Sequence, residues 1–189
     1  MKHTTLNIKK GKNVSCFIFP VPWRRGFTLI EILVVATIIG LLAAGGIVSY
    51  SQFSKQSRDA KRKADLEQIR AALEMYRSNN STYPTTGGAW WGACTNYGSH
   101  QDTGTNGYVP NLAPTYIQKL PHDPRENQSF SPCYSAASTC YLYISNGVDY
   151  KLLAHCGLES NISSNDPYYD PVRPSWALQV SSSATSLYW

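Results

Sequence analysis

One carboxylate, Glu31, sits inside the apolar run "FTLIEILVVATIIGLLAAGGIVSY", residues 27–50. A charged side chain at mid-bilayer is unfavourable by roughly 2.5–3.5 kcal/mol, and by less toward the ends of a span. A plain membrane anchor gains nothing from such a group, so Glu31 calls for a partner or a local use. The local use would be a capping or helix-dipole role, because an acid in the first turns of a helix is favourable.

Four cysteines, Cys94, Cys133, Cys140 and Cys156, lie beyond the apolar run, and Cys16 lies before it. An even number in a small Tyr- and Pro-rich region past a membrane segment reads as two disulfides in an oxidising compartment. Four separate buried thiols are the competing explanation. Three connectivities are open. The preferred one joins Cys133 to Cys140 across a short loop and Cys94 to Cys156. No C-x-x-C spacing occurs, and His100, His122 and His155 are scattered, so no zinc site is read. No spacing of Ser, His and Asp selects a catalytic constellation.

The elements that must position these residues are legible from composition. The chain has 189 residues and a formal net charge of +5. Lys2, Lys9, Lys10, Lys12, Arg24 and Arg25 fall in residues 1–26 with no acid among them, and beyond Arg77 acids outnumber bases. That distribution lacks the basic footprint of nucleic-acid binding. Residues 1–26 read as a targeting segment. Residues 27–50 are long enough to span, since a transmembrane helix needs about 20 apolar residues. Gly45-Gly46 is the place where local unwinding is expected.

Residues 51–80 lack Pro and Gly and are rich in good helix formers, so the helix is expected to continue, to about 78 Å over Phe27 to Ser78. Leu66, Ile69, Leu73 and Tyr76 form an apolar stripe that reads as core. The Lys55 to Lys63 cluster reads as a solvated face, with acidic lipid headgroups or neighbouring subunits as its other partners. Pro84 stops the helix. Residues 83–132 read mainly as loop with one short helix. "CYLYISNGVDYKLLAHC" reads as two strands about a tight turn at Asn146-Gly147, and "SWALQV" as a late strand.

The stretch "RRGFTLIEILVVATIIGLLAAGGIVSYSQF" resembles the amino-terminal signature of type IV pilins and of the pseudopilins of type II secretion, over roughly residues 24–80. Tyr83-Pro84 and "YIQKLPHDP" (Tyr116 to Pro124) are similar to segments of major pseudopilins. Val48 stands where many pilins have a Pro. The resemblance implies an α+β, lollipop-like pilin fold, with a long amino-terminal helix packed on a small antiparallel β-sheet domain. The implied division is a leader (1–26), a transmembrane or filament-core helix (27–50), its amphipathic continuation (51–80) and a loop-rich β domain (81–189).

The resemblance further implies a structural subunit and no enzyme. A prepilin peptidase would cut between Gly26 and Phe27 and N-methylate Phe27, and Glu31 would act in assembly. The implied partners are copies of this chain and related pilins, an inner-membrane platform with its ATPase, and membrane lipid before assembly. The implied location is a single-pass inner-membrane protein with its carboxy-terminal domain outside, then the filament. Asp166 and Asp170 in "NDPYYDP" are similar in position to a loop where major pseudopilins hold calcium, the one cofactor the resemblance suggests. The alternative is a tethered binding module or enzyme that does not polymerise. Trp90-Trp91 is the sole support for such a module, and core packing explains that pair as readily.

Overall fold

The computed structural model describes residues 26–128, 133 and 138–189, and the side chains of residues 45–49 also lie outside the description. The expected leader therefore falls outside the described residues up to Gly26, as does Cys16. The chain divides into two compact units, residues 1–44 and 45–189.

Helix α1 (Leu29–Asn80) opens the described chain. It runs without a break through Gly45-Gly46, so the expected unwinding is not seen. A glycine weakens a helix through backbone entropy but removes no backbone hydrogen bond. The helix ends in a left-handed residue, Ser81 at φ 63°, whose N–H donates to the Arg77 carbonyl at 2.7 Å. Asn80 supplies a second stop by donating its side-chain amide to the Tyr76 carbonyl at 2.9 Å. Both bonds satisfy carbonyls that a helix end leaves open.

Four strands follow: β1 (Trp91–Gly92), β2 (Cys140–Ser145), β3 (Tyr150–His155) and β4 (Leu178–Ser181). They form one sheet in the order β1-β2-β3-β4, with every neighbouring pair antiparallel. The fold is α+β, with the Leu66 to Leu73 stretch of α1 packed on this sheet. The β2–β3 turn forms at the expected place. Gly147 takes φ 90°, and the Asn146 side-chain oxygen accepts the N–H groups of Val148 and Asp149 at 2.9 and 2.8 Å. Among the described residues of 83–132 the expected helix is reduced to a 3-10 turn, Thr95–Tyr97.

Strand alternation divides the sheet's side chains between two faces. Tyr141, Tyr143, Tyr150, Leu152, Ala154, Leu178 and Val180 meet Leu66, Ile69, Ala72 and Leu73 of α1 in the main core. Cys140, Leu142 and Leu153 face the other way and are covered by Cys94, Trp90 and Tyr97. Tyr108, Leu112, Ile117 and Leu120, from the long connection between β1 and β2, complete the main core. Three of its buried phenols each have an acceptor. Tyr141 donates to Asp65, Tyr143 to the Pro84 carbonyl and Tyr108 to the Pro121 carbonyl, all at 2.7 Å. An unpaired buried hydroxyl would be costly.

The disulfides correct the preferred pairing. Cys94 is joined to Cys140 and Cys133 to Cys156. Antiparallel register explains the difference. Cys140 lies opposite His155 and turns its side chain to the face that the Cys94 segment covers. Cys156 leaves the ladder at φ 56° and meets Cys133 instead.

Non-reducing proteolysis with mass mapping should return Cys94 linked to Cys140 and Cys133 linked to Cys156. Replacing Cys94 and Cys140 together by Ser should lower the unfolding free energy by about 2–4 kcal/mol, measured by urea titration with the far-UV circular dichroism of the folded state unchanged.

Candidate assembly interface

Thr28 stands immediately before α1, and Glu31 is the third residue within it. Glu31 Oε2 accepts hydrogen bonds from the Thr28 backbone N–H and from Thr28 Oγ1, both at 2.7 Å. In return the Glu31 N–H donates to Thr28 Oγ1 at 3.3 Å. This reciprocal pair is a capping box, and it satisfies amide groups that the first turn leaves without partners. In the single chain, then, Glu31 serves its own helix. The sequence carried the signal as Thr28-x-x-Glu31, a pattern the reading of Glu31 alone passed over. Both bonds fall on one carboxylate oxygen, Oε2.

The described part of the first unit, residues 26–44, presents apolar side chains on every side. Phe27 is 82% exposed and Leu29 83%, and Ile30, Ile32, Leu33, Val34, Val35, Ile38, Ile39, Leu41 and Leu42 are all exposed. A helix that is apolar all round belongs in lipid or among other helices. Among the described residues no helix is long and apolar enough to cross a membrane.

In the second unit a charged cluster joins α1 to two loops. The Arg62 side chain is completely buried. Its Nε and Nη2 meet the two oxygens of Asp123 at 2.7 and 3.0 Å, a bidentate pair. Its Nη1 meets Asp59 at 2.8 Å and Glu159 at 3.0 Å. Glu159 also accepts from Arg58 at 2.7 and 2.6 Å and from Arg125 at 3.1 Å. Asp59 accepts the N–H groups of Glu159 and Ser160, and the Ser160 hydroxyl. Burial alone would raise the Glu159 pKa, but Arg58, Arg62 and Arg125 hold it down to about 2.

This cluster corrects the reading of Lys55 to Lys63 as a solvated face. Lys55 and Lys61 are exposed, but Arg62 and Asp59 are buried, Arg58 is committed to Glu159, and Lys63 pairs with Asp166 at 2.7 Å. Positions 59 and 62 continue the spacing of 66, 69, 73 and 76, so they share the buried face. A search for apolar periodicity ends where that face turns polar.

The other candidates separate. Asp166 and Asp170 hold different cations, Lys63 and Lys151. His122 lies between Glu126 at 2.6 Å and Asp102 at 3.3 Å, whereas His155 Nδ1 faces the Ser138 carbonyl at 2.6 Å. Among the described residues no group of three or more His, Cys, Asp or Glu is placed to hold a metal ion. Trp91 stacks on His100 with centroids 4.1 Å apart, and Arg173 lies over Trp90 at 5.4 Å. Both indoles are half-buried by these contacts.

Comparison with known proteins matches residues 24–47 to the family described as the prokaryotic N-terminal methylation motif. Relatives include the type II secretion system core protein G of Dickeya chrysanthemi, 34% identical over 119 residues, covering 58% of this chain and 69% of that protein. The Aeromonas hydrophila protein of the same name is 31% identical over 121 residues, covering 58% and 74%. The Pseudomonas aeruginosa one is 43% identical over 63 residues, covering 33% of this chain and only 44% of that protein. No solved structure matches the chain.

Arg62→Met should lower the unfolding free energy by about 3–5 kcal/mol, because three carboxylates lose their buried partner. The Glu159 pKa is depressed on folding, so its contribution is present above the unfolded value of about 4.3 and is lost as pH falls toward 2. Urea titrations from pH 7 down to pH 2.5 should show that loss in the native chain and a shallower one in Arg62→Met.

Proposed function

The chain belongs to the type II secretion system core protein G family, and from that premise we propose that it is a filament subunit, cleaved after Gly26, N-methylated on Phe27 and assembled through α1. The observation that carries this reading is Glu31, the one charge in an exposed apolar segment, four positions beyond Gly26-Phe27. Its role is structural, within the wider type IV pilin and pseudopilin class.

Cleavage after Gly26 creates an α-amine on Phe27 with an ordinary pKa of about 7.7–8.0, largely protonated near neutrality. In a staggered bundle the amine of one subunit lies beside Glu31 of its neighbour. The neighbour's ammonium then competes with Thr28 for a carboxylate that is already held at the helix start. Subunits docked out of step leave both charges unpaired among apolar side chains, which is expensive. The pair sets register more than it adds stability.

Before assembly, lipid covers the apolar segment, which makes the chain a single-pass inner-membrane protein with its disulfide-bonded domain outside. After assembly, neighbouring copies cover it. A prepilin peptidase, related pilins, and a membrane platform with its ATPase are the partners this reading requires.

The intact mass and amino-terminal sequence of protein from native membranes and from sheared filaments test the proposal. A chain starting at methylated Phe27 and present in filaments is expected. A chain starting at Met1, or cut elsewhere, sinks it. Glu31→Val should be processed normally yet yield at least tenfold less filament by immunoblot of sheared fractions. Undiminished filaments from that variant would refute the register role. A tethered module that does not polymerise would leave the native chain wholly in the membrane fraction.

A further inference from the structure

Resemblance to the major pseudopilins suggested calcium on the loop that carries Asp166 and Asp170, and the residues present do not fit it. Calcium needs six to eight oxygen ligands. Asp166 turns one oxygen to the Lys63 ammonium at 2.7 Å and the other to the Tyr168 N–H at 2.9 Å. Asp170 is completely buried, and donors surround it. Its Oδ1 accepts the N–H groups of Val172 and Arg173 at 2.8 and 3.2 Å, and its Oδ2 faces Arg173 Nη1 at 3.3 Å. The Lys151 ammonium lies 3.2–3.3 Å from both oxygens. A divalent cation here would stand against two fixed cations.

Lys151 itself is unusual. It lies within β3, paired with Ile144 of β2 and Ser181 of β4, and its side chain is fully buried. A lysine in that position is rare unless paired. Its ammonium has three donors, and three partners meet it: Asp170, the Leu187 carbonyl at 2.6 Å and the Trp189 oxygen at 3.1 Å. Arg173 Nη1 reaches the same Trp189 oxygen at 3.0 Å.

We infer that the segment from Asp170 to Trp189 is fastened to the sheet by the buried Lys151 ammonium, in an all-oxygen cage, and that its folding requires no divalent cation. The ammonium does from inside the chain what a bound ion does from outside. It gathers one carboxylate and two backbone oxygens from different turns onto one positive centre. Unlike a bound ion it cannot dissociate, so this part of the domain holds together whatever the free calcium concentration. The inference stands on the carboxy-terminal unit alone and is independent of the assembly proposal.

Thermal unfolding of the full chain in detergent micelles, with calcium chloride or with EDTA, is the test. The Tm should agree within about 1 °C between the two conditions. Lys151→Met and Asp170→Asn should each lower it by about 5 °C or more, since each leaves a buried charge without its partner. Lys151→Met combined with Asp170→Asn, which removes both charges and keeps an oxygen for the Val172 and Arg173 N–H groups, should melt above Lys151→Met alone. A calcium-dependent rise of several degrees in the native chain that Asp170→Asn abolishes would overturn the inference. So would a Lys151→Met variant that melts like the native chain. Should Lys151→Met fail to fold, the calcium comparison on the native chain and on Asp170→Asn still decides.

Discussion

The guanidinium of Arg62 is the constraint around which the second unit is arranged. It is wholly buried, it faces Asp59, Asp123 and Glu159, and those carboxylates come from α1 and from two separate loops. Even a glycine is set by it. A Cβ at Gly157 would meet Arg62 Nε at 2.9 Å and Cδ at 3.0 Å, so the chain passes the guanidinium only without a side chain there. Exchanging such a cluster for apolar residues of the same volume often costs nothing in stability. Its value lies in how few alternative packings can satisfy it.

The two charged sites of α1 therefore solve one problem by different means. Glu31 lies in a segment exposed on every side, and its partner in the single chain is its own helix start, through Thr28. Such a partner is local and leaves the apolar surface free to meet lipid or other helices. Arg62 lies where the helix meets the domain, and its partners are fixed by tertiary structure at Asp123 and Glu159. A carboxylate with a local partner can exchange it, whereas a guanidinium enclosed by three carboxylates cannot leave without exposing all three. The first turns of α1 are thus held by a bond within the helix, and its later turns by bonds to the loops of the domain.

Much of this was legible in the sequence because it depends on local pattern. Helix α1, its apolar stripe at Leu66, Ile69, Leu73 and Tyr76, the turn at Asn146-Gly147 and the late strand all follow from periodicity and turn chemistry. What could not be read depends on where distant segments meet. The disulfide pairing follows from antiparallel register, which puts Cys140 opposite His155 and Cys156 beyond the ladder. The burial of Arg62 depends on Asp123 and Glu159, about 60 and 100 residues further along. Lys151 could not be placed either, because a lysine within a strand gives no sign of the acid that meets it. Thr28 was legible and missed, since attention to the charge of Glu31 hid the residue three before it.

Register is where these features act together. Sliding α1 by one turn along its domain would bring Arg58 into the place of Arg62, which Asp123 could accept, but Lys55 into the place of Asp59. The N–H groups of Glu159 and Ser160, now donating to Asp59, would then face a cation. Sliding it the other way would put Leu66 in the place of Arg62 and Lys63 in that of Asp59, leaving Asp123 buried without its guanidinium. The apolar stripe resists such slips too, because the first carries Arg62 and Asp65 into the places of Leu66 and Ile69, and the second carries Arg70 and Arg77 into those of Leu66 and Leu73. The Arg62 cluster adds to that resistance, since each slip strands a buried group at a cost of several kcal/mol. Hydrophobic periodicity thus selects the face of α1 that is buried, and the Arg62 cluster joins the limits of the stripe in selecting which turn of that face meets Asp123 and Glu159.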